Sequence, residues 1–540
     1  MKKHNILKVV LLSILVVALL TWILPSASFN SELVIGTRAQ LGIFDIMSYF
    51  VEIFRYFPYV IVVVLTIGMF YGVAYKIPSY RALLDKIVEK FKNKEAILLS
   101  AMMIIITLIV SVTGLNFAIL FVFPFVISIV LLMGYNKLVA ASVTVGSTIV
   151  GMLGTTLGVN TTSYINYILS TDVYNEMVAK IVLLVIGLVL LIYNVLNYAK
   201  KIKNDTDKVV ELVPNSIVKE KVVVKEEKIE TKVDAKKAKT TKQTKSSKET
   251  KNTKSTKSSK STKTSKTTKK TSTKTRANDL KSVFVKKVSD NGDKQKKIMI
   301  WPFVIIFDLV VILLGVSTFN WTDVLNVDWF TTALTAVEEF TIFDFPIFAK
   351  ILGNVGEFGL WSLNYEIPTL IVLATCFMAF IYGIKFDDFL SGIQDGIKKA
   401  MKPGVYMFMI YLVLIIVTYN PFQLNFTKFL MELTNDLNVI TMTIIAMIAS
   451  VFNIECVYTA QSTLPYVTSI VTDSTLYPLL SVIFQAVYGL TMLVAPTSVI
   501  LLGTLTYLDV SYTQWLKHIW KLFLELLLVL VVVFLILFLI

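Results

Sequence analysis

Apolar runs recur along nearly the whole chain, at 6–24, 59–75, 95–133, 138–170, 177–199, 298–318, 367–384, 401–418, 439–471, 478–508 and 521–540. A helix that crosses a bilayer needs about 20 such residues at ~1.5 Å each. Most runs are therefore single crossings, and the pattern predicts an all-α polytopic membrane protein. The run 95–133 is about twice a crossing and has to fold back or cross twice. Composition agrees, with 55% hydrophobic residues and a mean hydropathy of +0.71, well above the range of a soluble domain. The first run follows MKKHN and ends in TWILPSASF, which reads as an uncleaved first helix rather than a signal peptide.

Several function classes lose their chemistry at this point. Cys376 and Cys456 both lie in apolar stretches and the histidines are His4 and His518, so no disulfide framework, cysteine cluster or histidine-based site is available. No HExxH or paired-aspartate motif supports a membrane-embedded enzyme, and no GxxxxGK[ST] motif supports an ATP-driven pump. The formal charge of +15 comes largely from 203–297, where Lys, Thr and Ser alternate. Such a segment cannot bury enough surface to offset its chain entropy, so it is expected to be a disordered cytoplasmic linker between two membrane halves. A sharper alternative is adhesion to anionic headgroups. No aromatic residue interleaves with its lysines, so stacking on nucleic acid is not expected.

Lysine and arginine bias orients the chain. Lys2 and Lys3, the stretch Lys76 to Lys94 and the linker are expected in the cytoplasm, and the acidic loop 320–366 outside. The parity works if 95–133 enters and returns to the cytoplasmic side at Gly134.

The two halves echo each other. PFVISIV from Pro124 and PYVTSIV from Pro465 share five of seven residues at an offset of 341, and the same offset lays GTT at 154–156 on APT at 495–497. Tyr71-Gly72 and Tyr382-Gly383 repeat at the smaller offset of 311, and the run 401–418 supplies the extra crossing that would invert the second half. The reading is a first membrane repeat over 1–202 (hairpin 95–133, broken helix 138–170), the linker, and a second repeat over 298–540 (hairpin 439–471, broken helix 478–508). Inverted repeats with two re-entrant hairpins and two broken helices are a transporter architecture, with the site near the midplane. A passive channel would share the polar clusters but has no need of the internal echo.

The interruption GMLGTTLGVNTTS at 151–163 carries the functional argument. Unpaired backbone in hydrocarbon costs several kcal/mol, so a break at 154–160 survives only where it lines a cavity or is buried in protein. It brings Thr155, Thr156, Asn160, Thr161, Thr162 and Ser163, and its counterpart Ala495-Pro496-Thr497-Ser498 removes a helical bond through proline. Carbonyls and hydroxyls suit a small cation, and half-helix N-termini suit a carboxylate. The presumed hairpin tips add Ser111, Thr113 and Asn116 on one side, and Asn453, Glu455, Gln461, Ser462 and Thr463 on the other. Glu455 is the sharpest of these, because an ionisable group in apolar sequence marks a pathway or a partner. It would either pair with a substrate amine or guanidinium or carry a coupling proton. Asp308 reads as a scaffold residue bonded inside the bundle, and Glu525 as an interfacial ion pair with Lys517 or Lys521.

TWILPSASF at 21–29, GYNKLVAASVTVGSTIVGMLGTT at 134–156 and VAPTSVILLGTLTYLDVSYTQWLKHIWK at 494–521 resemble segments of the YfcC family of the ion transporter superfamily. Asn160 is followed by Thr161, where that family tends to an Asn-Pro break. The resemblance implies an elevator-type secondary carrier in the cell membrane, a homodimer in the bilayer, for basic amino acid antiport or, alternatively, C4-dicarboxylates. The expectation is a secondary active transporter of a small organic solute, most of all an amino acid, with sodium or a proton as coupling ion and a sodium position near Thr155, Thr156 and Thr497. No other cofactor is called for.

Overall fold

The computed structural model describes residues 5–115, 117–203, 299–353, 355–434 and 438–540. The linker 203–297 falls, but for its first residue, outside the described residues, as does Asn116. Among the described residues, seven helices are long and apolar enough to cross a membrane, and the pair Ile43–Tyr56 and Pro58–Ala74, bent by 63°, would add one more span.

The helix order recurs in the two halves. Glu95–Thr113 leads through a tip at Gly114 and Leu115 and a 3-10 turn, Ala118–Phe121, into Phe123–Leu132; Val439–Asn453 leads through a tip at 454–455 into Cys456–Ile470. A broken helix follows each time: Lys137–Leu153 then Val159–Leu169, and Tyr477–Met492 then Val499–Tyr507. A long apolar helix closes each series, Met177–Lys203 and Tyr512–Leu539. The packing repeats as well, since Glu95–Thr113 lies on the first broken helix and Val439–Asn453 on the second, and the two closing helices pack on each other. The arms of the second tip pack together, whereas Phe123–Leu132 packs on Pro78–Lys90 and the start of the first broken helix.

A second packing group centres on two other helices, one of which, Phe386–Tyr419, also packs on Val499–Tyr507 of the second broken helix. Pro58–Ala74 lies along Phe386–Tyr419, with Asn5–Ile23, Ile43–Tyr56 and Glu366–Ile381 around them. Small residues let the two central helices approach: a Cβ on Gly72 would sit 2.1 Å from the Gly392 carbonyl oxygen, and one on Gly396 2.0 Å from that of Gly68. Both helices carry the GxxxG spacing that permits backbone contact in membranes. Phe386–Tyr419 has 34 residues, or roughly 51 Å, so it is longer than a bilayer core of ~30 Å. The expected crossing at 401–418 is thus only its second half.

Other expectations need correction. The chain is not wholly helical: Ala27–Asn30 pairs antiparallel with Glu32–Ile35, its turn made by Ser31 at φ 64°, and the Ala27 amide donates to the Pro421 carbonyl at 2.5 Å. Pro25 ends the first helix there. Asn160 does not belong to the break but to the first turn of Val159–Leu169; only its backbone is described. Asp308 is not bonded inside the bundle. It is exposed on the outer face of Trp301–Thr318, beside the exposed Ile305, Leu309 and Ile312. Glu525 does pair with Lys521, at 3.4 Å, and accepts from Asn194 at 2.7 Å.

Candidate functional site

The first broken helix meets the second at the first break, one to two turns before the second helix breaks. A Cβ on Gly489 would lie 2.5 Å from the Leu153 amide nitrogen, and Gln485 Nε2 donates to the Thr155 carbonyl at 2.6 Å. Each break is also tied to the neighbouring tip. In the first half the Thr156 amide donates to the Ser111 carbonyl at 3.0 Å, Ser111 Oγ donates to the Gly154 carbonyl at 2.6 Å and lies 3.1 Å from Thr156 Oγ1. In the second half Thr497 Oγ1 donates to the Val451 carbonyl at 2.7 Å, and Tyr488 OH to the Ile454 carbonyl at 3.0 Å. In the first half these bonds satisfy backbone groups of the break, and in the second they satisfy carbonyls at the tip, in a low-dielectric interior.

The tips are sharp. Glu95–Thr113 ends on Gly114 in the left-handed region at φ 69°, which glycine adopts without cost. At the equivalent place in the second tip stands Ile454, φ 63° and ψ −41°, with the Glu455 amide donating to the Asn453 carbonyl at 2.5 Å. This is the rare γ-turn, and a β-branched residue at its centre stores strain of order 1–3 kcal/mol. The turn lifts Glu455 out of the helical path and sets it at the head of Cys456–Ile470.

Between tips and breaks lies a cavity of about 280 Å³. It is bordered by the starts of helical segments: Ala118, Cys456 and Val457, Val499 and Ile500, with Thr161 in the first turn of Val159–Leu169. First-turn amides have no helical acceptor and carry the positive end of the helix dipole. The polar side chains on its wall are Tyr59, Thr161, Thr318, Trp361, Tyr411, Glu455, Tyr488 and Ser498, with no Lys, Arg or His among the lining residues. Glu455 Oε1 accepts from Tyr59 OH at 2.9 Å and from Tyr411 OH. Tyr59 sits on Pro58–Ala74 and Tyr411 on Phe386–Tyr419, so one carboxyl fastens the second tip to the other packing group.

Of the residues singled out from sequence, Glu455 and Ser498 line this cavity, as does Thr161. Several others bond within their own segments, and Ser163 is exposed. Thr113 Oγ1 donates to the Ile109 carbonyl at 2.5 Å, Thr155 Oγ1 to that of Met152 at 2.8 Å, and Asn453 Nδ2 to Ser462 Oγ at 3.0 Å, which lies 3.2 Å from Thr463 Oγ1. The hydroxyls named as a sodium position divide between two junctions, Thr155 and Thr156 in the first and Thr497 in the second. Gln461 is exposed. Tyr59 and Tyr411 carry no sequence signal of their own, since a lone tyrosine in an apolar helix has the pattern of core; the local cue is Phe57-Pro58, the bend that precedes Tyr59. Among the described residues no group of three or more His, Cys, Asp or Glu could hold a metal ion.

Residues 4–251 match a family model described as DcuC, a C4-dicarboxylate anaerobic carrier. The matched stretch is just under half of the chain and holds the first tip and the first broken helix. No curated protein and no solved structure shows significant similarity. The match supports a multi-pass membrane carrier of small organic acids over an enzyme. Its description names dicarboxylates, and nothing in it points to the YfcC family, to basic amino acids or to antiport.

Proposed function

We propose that the chain is a secondary carrier for a small organic anion of the C4-dicarboxylate class, which binds in the cavity between the two tips and the two breaks. The observation that carries this reading is the convergence of helix starts on one polar cavity that has no cationic side chain on its wall. Backbone amides at helix starts hold carboxylates without a fixed positive charge, as they hold phosphates elsewhere. The recurring helix order supports a pair of inverted repeats around the site, and the two packing groups support an elevator, in which the group bearing tips and breaks moves past Pro58–Ala74 and Phe386–Tyr419.

Glu455 is the one carboxyl on the wall and would repel a dianion. A proton on Glu455, or a cation beside it, removes that repulsion, so the solute and the coupling ion favour each other's binding. A carrier changes state only through such differential affinity. The same carboxyl favours a second reading, a solute with an ammonium group such as an amino acid.

Counterflow separates these readings. Purified protein in liposomes loaded with unlabelled succinate is expected to accumulate labelled succinate transiently, with fumarate and malate competing and arginine and ornithine not. Accumulation driven by arginine alone favours the second reading. Conductance without counterflow removes both.

A further inference from the structure

A second cavity, about 80 Å³ and almost wholly apolar, is lined by four segments that each also reach the polar one. Along Phe386–Tyr419 the polar cavity touches Tyr411 and the apolar one Met407, one turn away; along Val499–Tyr507 the corresponding residues are Ile500 and Thr504. The same succession holds on Pro58–Ala74 and from the 3-10 turn into Phe123–Leu132. The two spaces are therefore stacked end to end rather than scattered through the bundle.

Met407 stands where they meet. Its Sδ would be 2.3 Å from a Cβ on Gly503, so a flexible thioether is seated on bare backbone between the cavities. Thr504, 4% exposed, lines the apolar space and its hydroxyl has no hydrogen-bond partner there. Such a group is costly in a permanently dry interior. The far end is crossed by contacts between the packing groups: Tyr75 OH lies 3.4 Å from Ser128 Oγ, and Lys402 pairs with Asp509 at 3.3 Å. Lys399 lines this end, its Nζ 4.6 Å from the Tyr75 ring centroid. Lysine bias assigns this end to the cytoplasm.

We propose that the apolar cavity is the closed cytoplasmic leg of the solute path, with Met407 on Gly503 as its inner seal and Lys399 as the cation an organic anion meets at its mouth. This rests on the carrier reading above. Opening needs Met407 to leave Gly503 and the Tyr75–Ser128 and Lys402–Asp509 contacts to part, which wets the Thr504 hydroxyl. A membrane-impermeant anionic methanethiosulfonate tests it, applied to the cytoplasmic face of vesicles carrying Thr504→Cys in a C376S parent, with labelling read as the excess over that parent. The parent's counterflow tests the carrier reading separately. The expected result is labelling from the cytoplasmic face alone, at least threefold faster when succinate cycles, with K399Q raising the cytoplasmic KM at least threefold and leaving the external KM unchanged. Labelling only by lipid-soluble maleimide, or equal effects of K399Q on both faces, while the parent still gives counterflow, would make the cavity a lipid-facing crevice and overturn the path. A parent without counterflow overturns the carrier reading and the path with it.

Discussion

Replacing Glu455 by Gln tests the tyrosine clasp and the proton role together. Glu455 Oε1 accepts two hydroxyl bonds, from Tyr59 and Tyr411. A bond to a charged acceptor contributes about 1.5–3 kcal/mol and a neutral one about 0.5–1.5. The amide oxygen of Gln can keep both bonds, so the substitution changes the clasp by about 1 kcal/mol per bond, or about 2 in all. That is roughly a 30-fold shift in the equilibrium between fastened and released tip, since ~1.4 kcal/mol is tenfold. Gln also resembles the protonated carboxyl and cannot cycle a proton. E455Q in liposomes is therefore expected to keep or accelerate succinate counterflow while losing uptake driven by a pH gradient. Counterflow and gradient-driven uptake that both stay within twofold of the parent, with unchanged pH dependence, would refute the clasp and the proton role alike.

Three further outcomes follow from the packing. Gly396→Val sets side-chain atoms against the Gly68 backbone, which cannot yield, and should cost more than the ~1–3 kcal/mol of ordinary overpacking; size-exclusion of detergent extracts should show loss of the folded peak. Thr156→Val removes the hydroxyl beside Ser111 Oγ and should cost about 1–3 kcal/mol, seen as a lower Tm that saturating succinate partly restores. Asp308→Leu replaces an outward carboxyl that costs ~2.5–3.5 kcal/mol at the centre of a spanning helix, so Tm in lipid nanodiscs should rise; a fall would mean that a polar partner covers that face.

The spans and both breaks are legible in the sequence because hydropathy and interruption are local properties. Gly154, Gly158 and Pro496 lower helix propensity where the breaks fall, although Pro403 and Pro465 lie inside continuous helices. Glu455 is legible for a similar reason, as a charge without charged neighbours. Which face a residue turns outward is not local. Asp308 looks like a buried scaffold group in sequence, yet its helix packs by the opposite face. Thr155 and Thr156 look like ligands, but a break needs its own hydroxyls to satisfy the backbone it releases. The amphipathic helix Ile43–Tyr56 has no apolar run to mark it, because Asp45, Glu52 and Arg55 interrupt its hydropathy. The spacing Gly68-x-x-x-Gly72 and Gly392-x-x-x-Gly396 was visible, but only the folded pair reveals that they face each other. Ile454 in a γ-turn carries no sequence signal, since its strain is imposed by the tip.

The central claim is that solute occupies the space between the tips and the breaks, and the chain carries a reporter there. Cys456 lines that cavity, and the other cysteine, Cys376, is exposed and can be replaced by Ser. The measurement is the rate at which a small maleimide alkylates Cys456 in the C376S protein, with Val457→Cys as a second reporter, as succinate is raised. The account predicts at least tenfold slowing at both positions, half-complete near the transport KM. An alkylation rate that stays constant while transport saturates would contradict it.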